Sequence, residues 1–589
     1  MKNIPLVATS LAVFLAAGAL AQSNDKNKNN GSGSSGDWQH SKIRHVLLIS
    51  VDGMHAVDFL NCSQGIVGIN NGTPYCPNLA SLATTGVNYT AAGTSKPSDS
   101  FPGLMTLMTG ATPRTMGVYY DVSYDRTLSP PLNTTGNGNA SGPCTPGVIT
   151  GYSTEFDEGI DLNQGLLNGG APGAGLTDGG IASIDSTKLD RDPSSNCSPV
   201  YPWNFVRTNT IFGVIHKAGG YTAWSDKHPS YSSVGGPGNG PGGGNLDDYY
   251  SPEINSNVVA LPNVTTATGT SCSTIPDPNS DLTAWTNSFQ NIQCYDQIKV
   301  NAVLNWIDGR NHDGKKAQVP TVFGMNYQSV SVGQKLIENG VHGGYLDAAG
   351  TPTSSLLSEF QFVDATIGEM IQQIKNRGLY ESTLIIVTAK HGQSPIDPNR
   401  YSAVPGKTNN GESPATLLDG AGYIPASESP AGALGSTEDD VSLLWLKSGD
   451  DTLPAVQLLE DNPAEIGLGQ IYYGPSLALN YNPPGPPPSG DPRTPDIIVT
   501  PNVGVTYTGS NKKLAEHGGF SHDDTNVIML VSNPAIRPRT SYDSVTTAQV
   551  APTVLRALGL DPSALDGVRL EGTTALPNLA HSIFPTSGR

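Results

Sequence analysis

The sequence predicts an α/β fold with a mainly parallel central sheet, flanking helices and long loop insertions. Short, continuous apolar runs recur along the chain, as expected for strands that are buried on both faces of a parallel sheet. Stretches with helical periodicity lie between these runs, and such alternation is typical of α/β domains. The apolar runs cover residues 45–51, 321–325, 384–388 and 526–531.

Three helices have recognisable boundaries in the sequence. Two of them are predicted at residues 298–308 and 354–378, and the second ends at Gly378 because glycine commonly terminates helices. The third lies in "SKPSDSFPGLMTLMTG", where Pro102 suits the first helical turn. Ser100 is therefore expected at or beside the N-cap of this helix.

The N-terminal region has the pattern of a secretory signal peptide over residues 1–21. Lys2 precedes an apolar run that ends in small residues, with cleavage expected near Ala21. This run is shorter than the roughly 20 apolar residues that span a bilayer, and no other segment is predicted to span one. Residues 22–37 are polar and glycine-rich, which predicts a disordered linker before one folded domain over residues 38–589.

Cysteines and glycosylation motifs support secretion to the extracellular space. An even number of cysteines in a secreted chain predicts three disulfides, and pairing in sequence order would close three local loops, although other pairings remain open. Seven N-x-Ser/Thr motifs predict a glycoprotein. The cysteines are Cys62, Cys76, Cys144, Cys197, Cys272 and Cys294, and the motif asparagines are Asn61, Asn71, Asn88, Asn133, Asn139, Asn196 and Asn263.

The formal net charge of −19 argues against a nucleic-acid-binding surface, which requires clustered Lys and Arg. A small anionic substrate is still compatible with this charge if the site holds a local positive centre, either a metal or a buried lysine. The sequence gives no oligomeric state.

Several polar residues stand where ligands gather in parallel sheets, at the carboxyl ends of strands. Asp52 follows the first apolar run, Lys390 and His391 follow the third, and His517 precedes the fourth. Each has an ordinary alternative, since Asp-Gly is a common turn, a serine such as Ser100 caps helices, and loop histidines are often surface residues. Together they could supply metal ligands and a nucleophile.

The order of these motifs resembles the type I phosphodiesterase / nucleotide pyrophosphatase family of the alkaline phosphatase superfamily. The resemblance covers about residues 42–575 and includes "LLISVDG", "SFPGLMTLMTGATPRTMGV", "TAKHGQSP", "EHGGFSHDD" and "TTAQVAPTVLRALGLDPSALDGVRLEGT". It implies an alkaline-phosphatase-like catalytic domain that hydrolyses small phosphate esters. By this resemblance Ser100 is the nucleophile, and Asp52, Ser100, His391 and His517 match metal-binding positions, with zinc as the expected metal.

The sequence departs from the family pattern at two places. Lys390 stands where the family has an aspartate ligand, and the Asp-x-x-x-His pair expected after residues 321–325 is missing, leaving Asn326, Gln328 and Gln334. A protonated lysine cannot coordinate a metal, and amide oxygens bind zinc poorly. We therefore predict a one-metal or metal-poor site in which Lys390 is a catalytic residue that stabilises developing negative charge.

Other polar residues could supply a missing ligand or bind phosphate. Asp226, Lys227 and His228 follow a short strand-like run at residues 221–224, and an ordinary polar turn closed by Pro229 explains them nearly as well. The possible additional ligands are Asn326, Asp226, His228, His522 and Asp523.

Two rival functions remain at the level of sequence. The first is another esterase of the superfamily, acting on phosphomonoesters, phosphonates or sulfate esters. Sulfatases use lysines near the anion, but their Cys/Ser-x-Pro-x-Arg signature is absent at "SFPGL". The second is a catalytically degenerate secreted glycoprotein that keeps the fold for binding. The loops between about residues 120 and 290 carry no motif that identifies a substrate.

Overall fold

The computed structural model describes residues 41–136, 138–155, 180–255, 261–273, 286–406, 412–429, 435–508, 513–579 and 583–584. The predicted signal peptide and linker lie outside these ranges. The strands are β1 His45–Val51, β2 Gly86–Gly93, β3 Val122–Asp125, β4 Tyr152–Glu155, β5 Arg191–Asp192, β6 Ser198–Pro199, β7 Thr222–Ser225, β8 Asp248–Tyr249, β9 Val322–Tyr327, β10 Ile337–Glu338, β11 Val341–His342, β12 Thr383–Thr388, β13 Ser402–Val404, β14 Thr437–Glu438, β15 Ser442–Leu444, β16 Leu468–Tyr473, β17 Ile497–Pro501, β18 Val505–Tyr507, β19 Leu530–Ser532 and β20 Arg539–Thr546. The helices are α1 Ala56–Gln64, α2 Pro77–Ala83, α3 Ser100–Thr109, α4 Pro113–Met116, α5 Pro202–Phe205, α6 Ile211–Lys217, α7 Phe289–Ile307, α8 Ser329–Lys335, α9 Ser354–Asn376, α10 Pro414–Gly420, α11 Thr452–Glu460, α12 His522–Thr525, α13 Val550–Ala557 and α14 Asp566–Glu571.

The central sheet has eight strands in the order β20-β2-β19-β12-β1-β9-β7-β8. Its strand pairs are parallel except for the two made by β19, which runs antiparallel to β12 and β2. In the middle of the sheet, Val46 of β1 lies opposite Leu384 of β12 and Val322 of β9. The mainly parallel α/β fold predicted from the sequence is confirmed.

Both faces of this sheet are buried, which explains the continuous apolar runs. Along β1, Leu47 and Ile49 pack into one hydrophobic core, and Val46 and Leu48 pack into the other. The first core is covered by residues of α1, α2, α7, α8 and α9, and the second by residues of α3, α6 and α13. A smaller sheet, ordered β14-β15-β17-β16, contributes apolar residues to a further core with α10 and α11.

Several predicted boundaries shift for physical reasons. The apolar run at residues 526–531 forms a strand only over β19, and this strand is antiparallel. Helix α7 begins earlier than predicted because Ser288 caps it, its hydroxyl oxygen accepting from the backbone N–H groups of Gln290 and Asn291. Polar residues in the first turns of α7 masked its apolar periodicity in the sequence.

The cysteines pair in sequence order, as Cys62–Cys76, Cys144–Cys197 and Cys272–Cys294. The prediction of three disulfides is confirmed, and the structure selects the pairing that closes three local loops. Such crosslinks stabilise a fold mainly by restricting the unfolded chain.

Candidate active site

Four neighbouring strands direct their carboxyl ends to one edge of the sheet, where the candidate residues meet. Asp52 follows β1, Lys390 and His391 follow β12, and Lys227 follows β7, while Asn326 lies near the end of β9. These strands are adjacent in the order β12-β1-β9-β7 and mutually parallel. The topology therefore converts positions far apart in sequence into one cluster of side chains.

Ser100 is the first residue of α3 and lies at the centre of this cluster. The N-cap is its neighbour Asp99, whose Oδ2 accepts from Phe101 N at 3.3 Å, so the Ser100 hydroxyl is not needed for capping. Ser100 Oγ lies 3.2 Å from His391 Nε2 and 3.1 Å from Lys227 Nζ. A buried hydroxyl is thus held between an imidazole and an ammonium group at a helix N-terminus.

His391 is oriented by its own loop. Its Nδ1 lies 2.8 Å from the carbonyl oxygen of Gly392. Because a carbonyl oxygen only accepts hydrogen bonds, Nδ1 carries a hydrogen in this contact. In the neutral ring, Nε2 is then free to accept the proton of the Ser100 hydroxyl.

The loop that carries His391 packs directly against the helix that carries Ser100. A Cβ atom added at Gly103 in α3 would lie 2.2 Å from the backbone oxygen of Lys390. Any side chain at position 103 would clash with the backbone of Lys390, so Gly103 allows the helix and the loop to pack closely and brings Ser100 near His391.

Asp52 is held by amide donors. Its Oδ2 accepts from Asn326 Nδ2 at 3.1 Å and from Gln328 Nε2 at 2.5 Å, and lies 3.6 Å from His391 Nε2. Burial acts to raise the pKa of Asp52, but Lys390, His391 and Lys227 together outweigh it and hold the pKa well below its usual range. Asp52 is therefore negatively charged at neutral pH.

Lys390 is fully buried and paired. Its Nζ lies 2.7 Å from Asp226 Oδ1 and 4.0 Å from the centre of the Tyr231 ring. Asp226, which the sequence suggests as an additional metal ligand, is instead the counter-ion of Lys390. Its other oxygen accepts from the indole N–H of Trp224 at 3.0 Å.

His517 joins the cluster beside His391. Its ring centre lies 4.1 Å from that of His391, and its Nδ1 lies 3.3 Å from Asp99 Oδ1. Burial holds the pKa of His517 well below its usual range, and the charges of Lys335, Lys227 and a protonated His391 lower it further. Burial raises the pKa of Asp99 to about 6, although His391 and Lys227 oppose the shift.

Two of the predicted additional ligands follow His517 closely in the sequence. The backbone of this segment stays close to the cluster, since Gly392 N donates to the carbonyl oxygen of Asp524 at 2.7 Å. The His522 side chain is exposed at the start of α12, whereas Ser100 is fully buried. Asp523 Oδ2 accepts from the backbone N–H of Ile396 at 3.0 Å.

The donor set does not fit a pair of metal ions. In the ranges that the structure describes, no group of three or more His, Cys, Asp or Glu side chains is placed to hold a metal. The Lys390 ammonium occupies the position of one family ligand and neutralises Asp226, while amide N–H groups fill the Oδ2 side of Asp52. Cations and N–H donors repel a metal ion, so these contacts disfavour one at the same place.

A polar cavity of about 370 Å³ adjoins this cluster. Lys227, which contacts Ser100, lines this cavity, and so do Lys335, Lys513 and His517. Burial, reinforced by Lys513 and Lys227 and opposed by Glu516, lowers the pKa of Lys335. Four carboxylates, those of Asp121, Glu155, Asp439 and Glu516, line the same cavity, so the positive charge available to an anion is that beside Ser100, where Lys227 lies.

His228 also lines the cavity, and its orientation is fixed. Its Nδ1 lies 2.8 and 2.9 Å from the two carboxylate oxygens of Glu253. Its ring stacks on Tyr231 with centres 5.8 Å apart and an interplanar angle of 13°. His228, suggested by the sequence as an additional ligand, is thus part of a buried histidine–carboxylate pair, next in sequence to the Lys227 that contacts the nucleophile.

Sequence comparison places the chain near known phosphate-ester hydrolases. A sequence model described as Type I phosphodiesterase / nucleotide pyrophosphatase matches residues 46–158 and 262–523, together more than half of the chain. The bis(5'-adenosyl)-triphosphatase ENPP4 of Bos taurus is 24% identical over 208 residues, which are 35% of this chain and 39% of that protein. The match thus spans less than two thirds of this relative's length.

Solved structures with a similar fold were also found. Murine ectonucleotide pyrophosphatase / phosphodiesterase 5 is 14% identical, with a TM-score of 0.47 over 88% of this chain and 96% of that chain. A variant of alkaline phosphatase PafA with four substitutions is 13% identical, with a TM-score of 0.50 over 87% of this chain and 95% of that chain. At this identity the PafA likeness concerns the fold alone, and it agrees with the predicted alkaline-phosphatase-like sheet.

Some residues of the cluster were not found by sequence reasoning. The sequence suggests Lys227, together with Asp226 and His228, as a possible phosphate-binding residue after a strand, but its contact with Ser100 was not predicted. Glu253 and Lys335 carry no local pattern. Lys227, His228 and Glu253 all lie between the two segments that match the family, at residues 159–261. The resemblance could therefore say nothing about them.

Proposed function

Because this chain belongs to the type I phosphodiesterase / nucleotide pyrophosphatase family, we propose that it is a phosphodiesterase or nucleotide pyrophosphatase with Ser100 as nucleophile. The resemblance seen in the sequence is confirmed, and phosphoric ester hydrolysis is the activity class of this family. The observation that supports the nucleophile is the double contact of Ser100 Oγ with His391 Nε2 and Lys227 Nζ.

His391 would act as the general base for Ser100. The Gly392 carbonyl fixes the hydrogen on Nδ1, so Nε2 accepts the serine proton as Oγ attacks phosphorus. Asp52, an anion 3.6 Å from Nε2, compensates the positive charge that His391 gains. Attack gives a covalent phosphoryl-serine intermediate, which water later hydrolyses.

Lysines would stabilise the phosphoryl oxygens during this attack. Lys227 Nζ already touches the attacking oxygen, and the N-terminus of α3 adds backbone N–H groups and a favourable dipole. Lys390 adds less charge of its own, because its ammonium group is paired with Asp226 at 2.7 Å. Fixed cations in a site shielded from water stabilise a transition state strongly.

In this mechanism, charged side chains of the protein take the place of the metal pair. Zinc is the metal that the family resemblance implies, and Asp52, Ser100, His391 and His517 are the positions that would hold it. Their present partners do not fit such a pair, so every step above is assigned to side chains of this chain.

We also propose that the protein is secreted and glycosylated. The three disulfides require an oxidising compartment to form and persist. In the part of the chain that the structure describes, no helix combines the length and apolarity needed to cross a bilayer. The predicted signal peptide and sequons agree with export, and the expected ligand is a small phosphate ester.

One observation favours a second candidate, a phosphomonoesterase. Lys227 Nζ lies 3.1 Å from Ser100 Oγ, and a cation held against the nucleophile suits a dianionic phosphomonoester better than a monoanionic diester. The rest of the site would work in the same way for either substrate.

A substrate panel tests the proposed function. Purified full-length protein is assayed with bis(p-nitrophenyl) phosphate, p-nitrophenyl phosphate and p-nitrophenyl sulfate, and kcat/KM is compared. We expect the phosphodiester to be hydrolysed fastest. A higher value for the monoester would favour the second candidate, a higher value for the sulfate ester would favour a sulfatase, and no hydrolysis of any of them would indicate a binding glycoprotein.

A further inference from the structure

We propose that His228 is the general acid that protonates the leaving group when Ser100 attacks phosphorus. This inference rests on the proposed function and assigns a catalytic role to a residue outside both segments that match the family. It follows from the geometry of His228, from its place in the cavity and from the need of the reaction for a proton donor.

The orientation of His228 suits a proton donor. Its Nδ1 is held by both oxygens of Glu253, so Nδ1 carries a hydrogen and Nε2 is the ring nitrogen left for the cavity that the residue lines. The Glu253 carboxylate compensates the positive charge of the ring while Nε2 holds its own proton. A buried carboxylate that orients a histidine in this way is a recurrent feature of catalytic histidines.

The ring is also held rigidly in the wall of the cavity. It is buried and stacked on Tyr231, while the carbonyl oxygen of His228 accepts from Tyr249 Oη at 2.9 Å. Lys227 and Lys390 lie over the same Tyr231 ring, with Nζ atoms 5.8 and 4.0 Å from its centre. Of these groups Lys227, the sequence neighbour of His228, contacts the nucleophile, with Nζ 3.1 Å from Ser100 Oγ.

The chemistry needs such a donor. A metal ion can stabilise a leaving oxygen as it departs with negative charge, but the donor set of this site does not fit a metal pair. An alkoxide is a poor leaving group unless it is protonated. His391 cannot supply that proton in the same step, because it receives the proton of Ser100.

Atoms and charges balance over two steps. In the first step the Oγ–P bond forms and the P–O bond to the leaving group breaks. The Ser100 proton passes to His391 Nε2, and the leaving oxygen takes the proton of His228 Nε2. In the second step water attacks the phosphoryl-serine and gives a proton to His228, while Ser100 Oγ departs and recovers its proton from His391.

The test compares leaving groups of different basicity. Methyl aryl phosphates are prepared with leaving phenols that range from p-nitrophenol, which is weakly basic, to p-methoxyphenol, which is more basic. Wild type, His228→Gln and His216→Gln are assayed for kcat/KM across the series. His216 is the matched control, since its Nδ1 pairs with Asp247 at 3.2 Å and it does not line the cavity.

We expect His228→Gln to lose about 10²- to 10⁴-fold with p-methoxyphenol, the range typical of a general acid, and less than about tenfold with p-nitrophenol. His216→Gln should behave as wild type. An equal loss across the series, or no loss, would overturn the role of His228. The wild-type series gives a second measurement should the variant fold poorly: a weak dependence on leaving-group basicity is expected, and a steep one would count against general acid catalysis.

The same data separate this inference from the proposed function. Hydrolysis that persists in Ser100→Ala, or no hydrolysis by wild type at all, would overturn both. Hydrolysis that requires Ser100 but shows no difference in leaving-group dependence between wild type and His228→Gln would overturn only the role of His228.

Discussion

Replacing Ser100 with alanine is expected to lower kcat/KM for bis(p-nitrophenyl) phosphate by at least about 10³-fold, the scale seen when a nucleophile is removed. The hydroxyl is the only group removed, while His391 and Lys227 remain in place on either side of the resulting gap. The variant should fold normally, because Asp99 rather than Ser100 caps α3. Initial rates from p-nitrophenolate release give the comparison.

Thr106→Val is the matched control for this variant. Thr106 is a buried residue of the same helix, and its hydroxyl has no hydrogen-bond partner among the described residues. Its removal should leave kcat/KM within about twofold of wild type. Comparable rates for Ser100→Ala and wild type would show that another group attacks phosphorus or that the activity belongs to a contaminant.

Replacing Lys390 with alanine is expected to cost about 3 to 5 kcal/mol in the free energy of unfolding, because it leaves Asp226 buried without its counter-charge. The double variant Lys390→Met with Asp226→Asn removes both charges and should recover most of this loss. Urea denaturation followed by tryptophan fluorescence measures both. A cost below about 1 kcal/mol for the single variant would mean that the pair is not formed as described.

Replacing Lys390 with aspartate tests the same position by charge reversal. The variant Lys390→Asp places a third carboxylate near Asp226 and Asp52, and this concentration of negative charge requires a compensating cation. We expect the melting temperature of the variant to rise when Zn²⁺ is added, while that of wild type stays constant. Equal responses of the two proteins to zinc would contradict the view that Lys390 takes the place of metal charge.

The sequence predicted the location of the site better than its chemistry. Asp52, Ser100 and His391 meet because polar residues follow neighbouring parallel strands, and that rule can be applied to sequence alone. His517 reaches the same cluster through a glycine-rich loop. His522 is exposed at the start of α12, a position that the motif does not encode.

Contacts between side chains from distant parts of the sequence could not be predicted. The pairing of Lys390 with Asp226 joins two loops that are far apart in the sequence, and each residue alone had another interpretation. Glu253 comes from a loop without regular pattern, and it becomes meaningful only when its two bonds to His228 are seen. From the sequence, Asp226 and His228 could supply a missing metal ligand, bind phosphate or form an ordinary polar turn, and in the structure both side chains have protein partners.

The most direct test of the central claim is hydrolysis by protein freed of metal. Wild type is dialysed against 1,10-phenanthroline and EDTA, its metal content is measured by mass spectrometry, and kcat/KM for bis(p-nitrophenyl) phosphate is determined before and after. A site that works through lysines and histidines should keep its activity within about twofold when fewer than about one molecule in ten holds a metal ion, since a metal-dependent site would then lose about tenfold. Activity that disappears with the metal and returns when Zn²⁺ is restored would contradict this account.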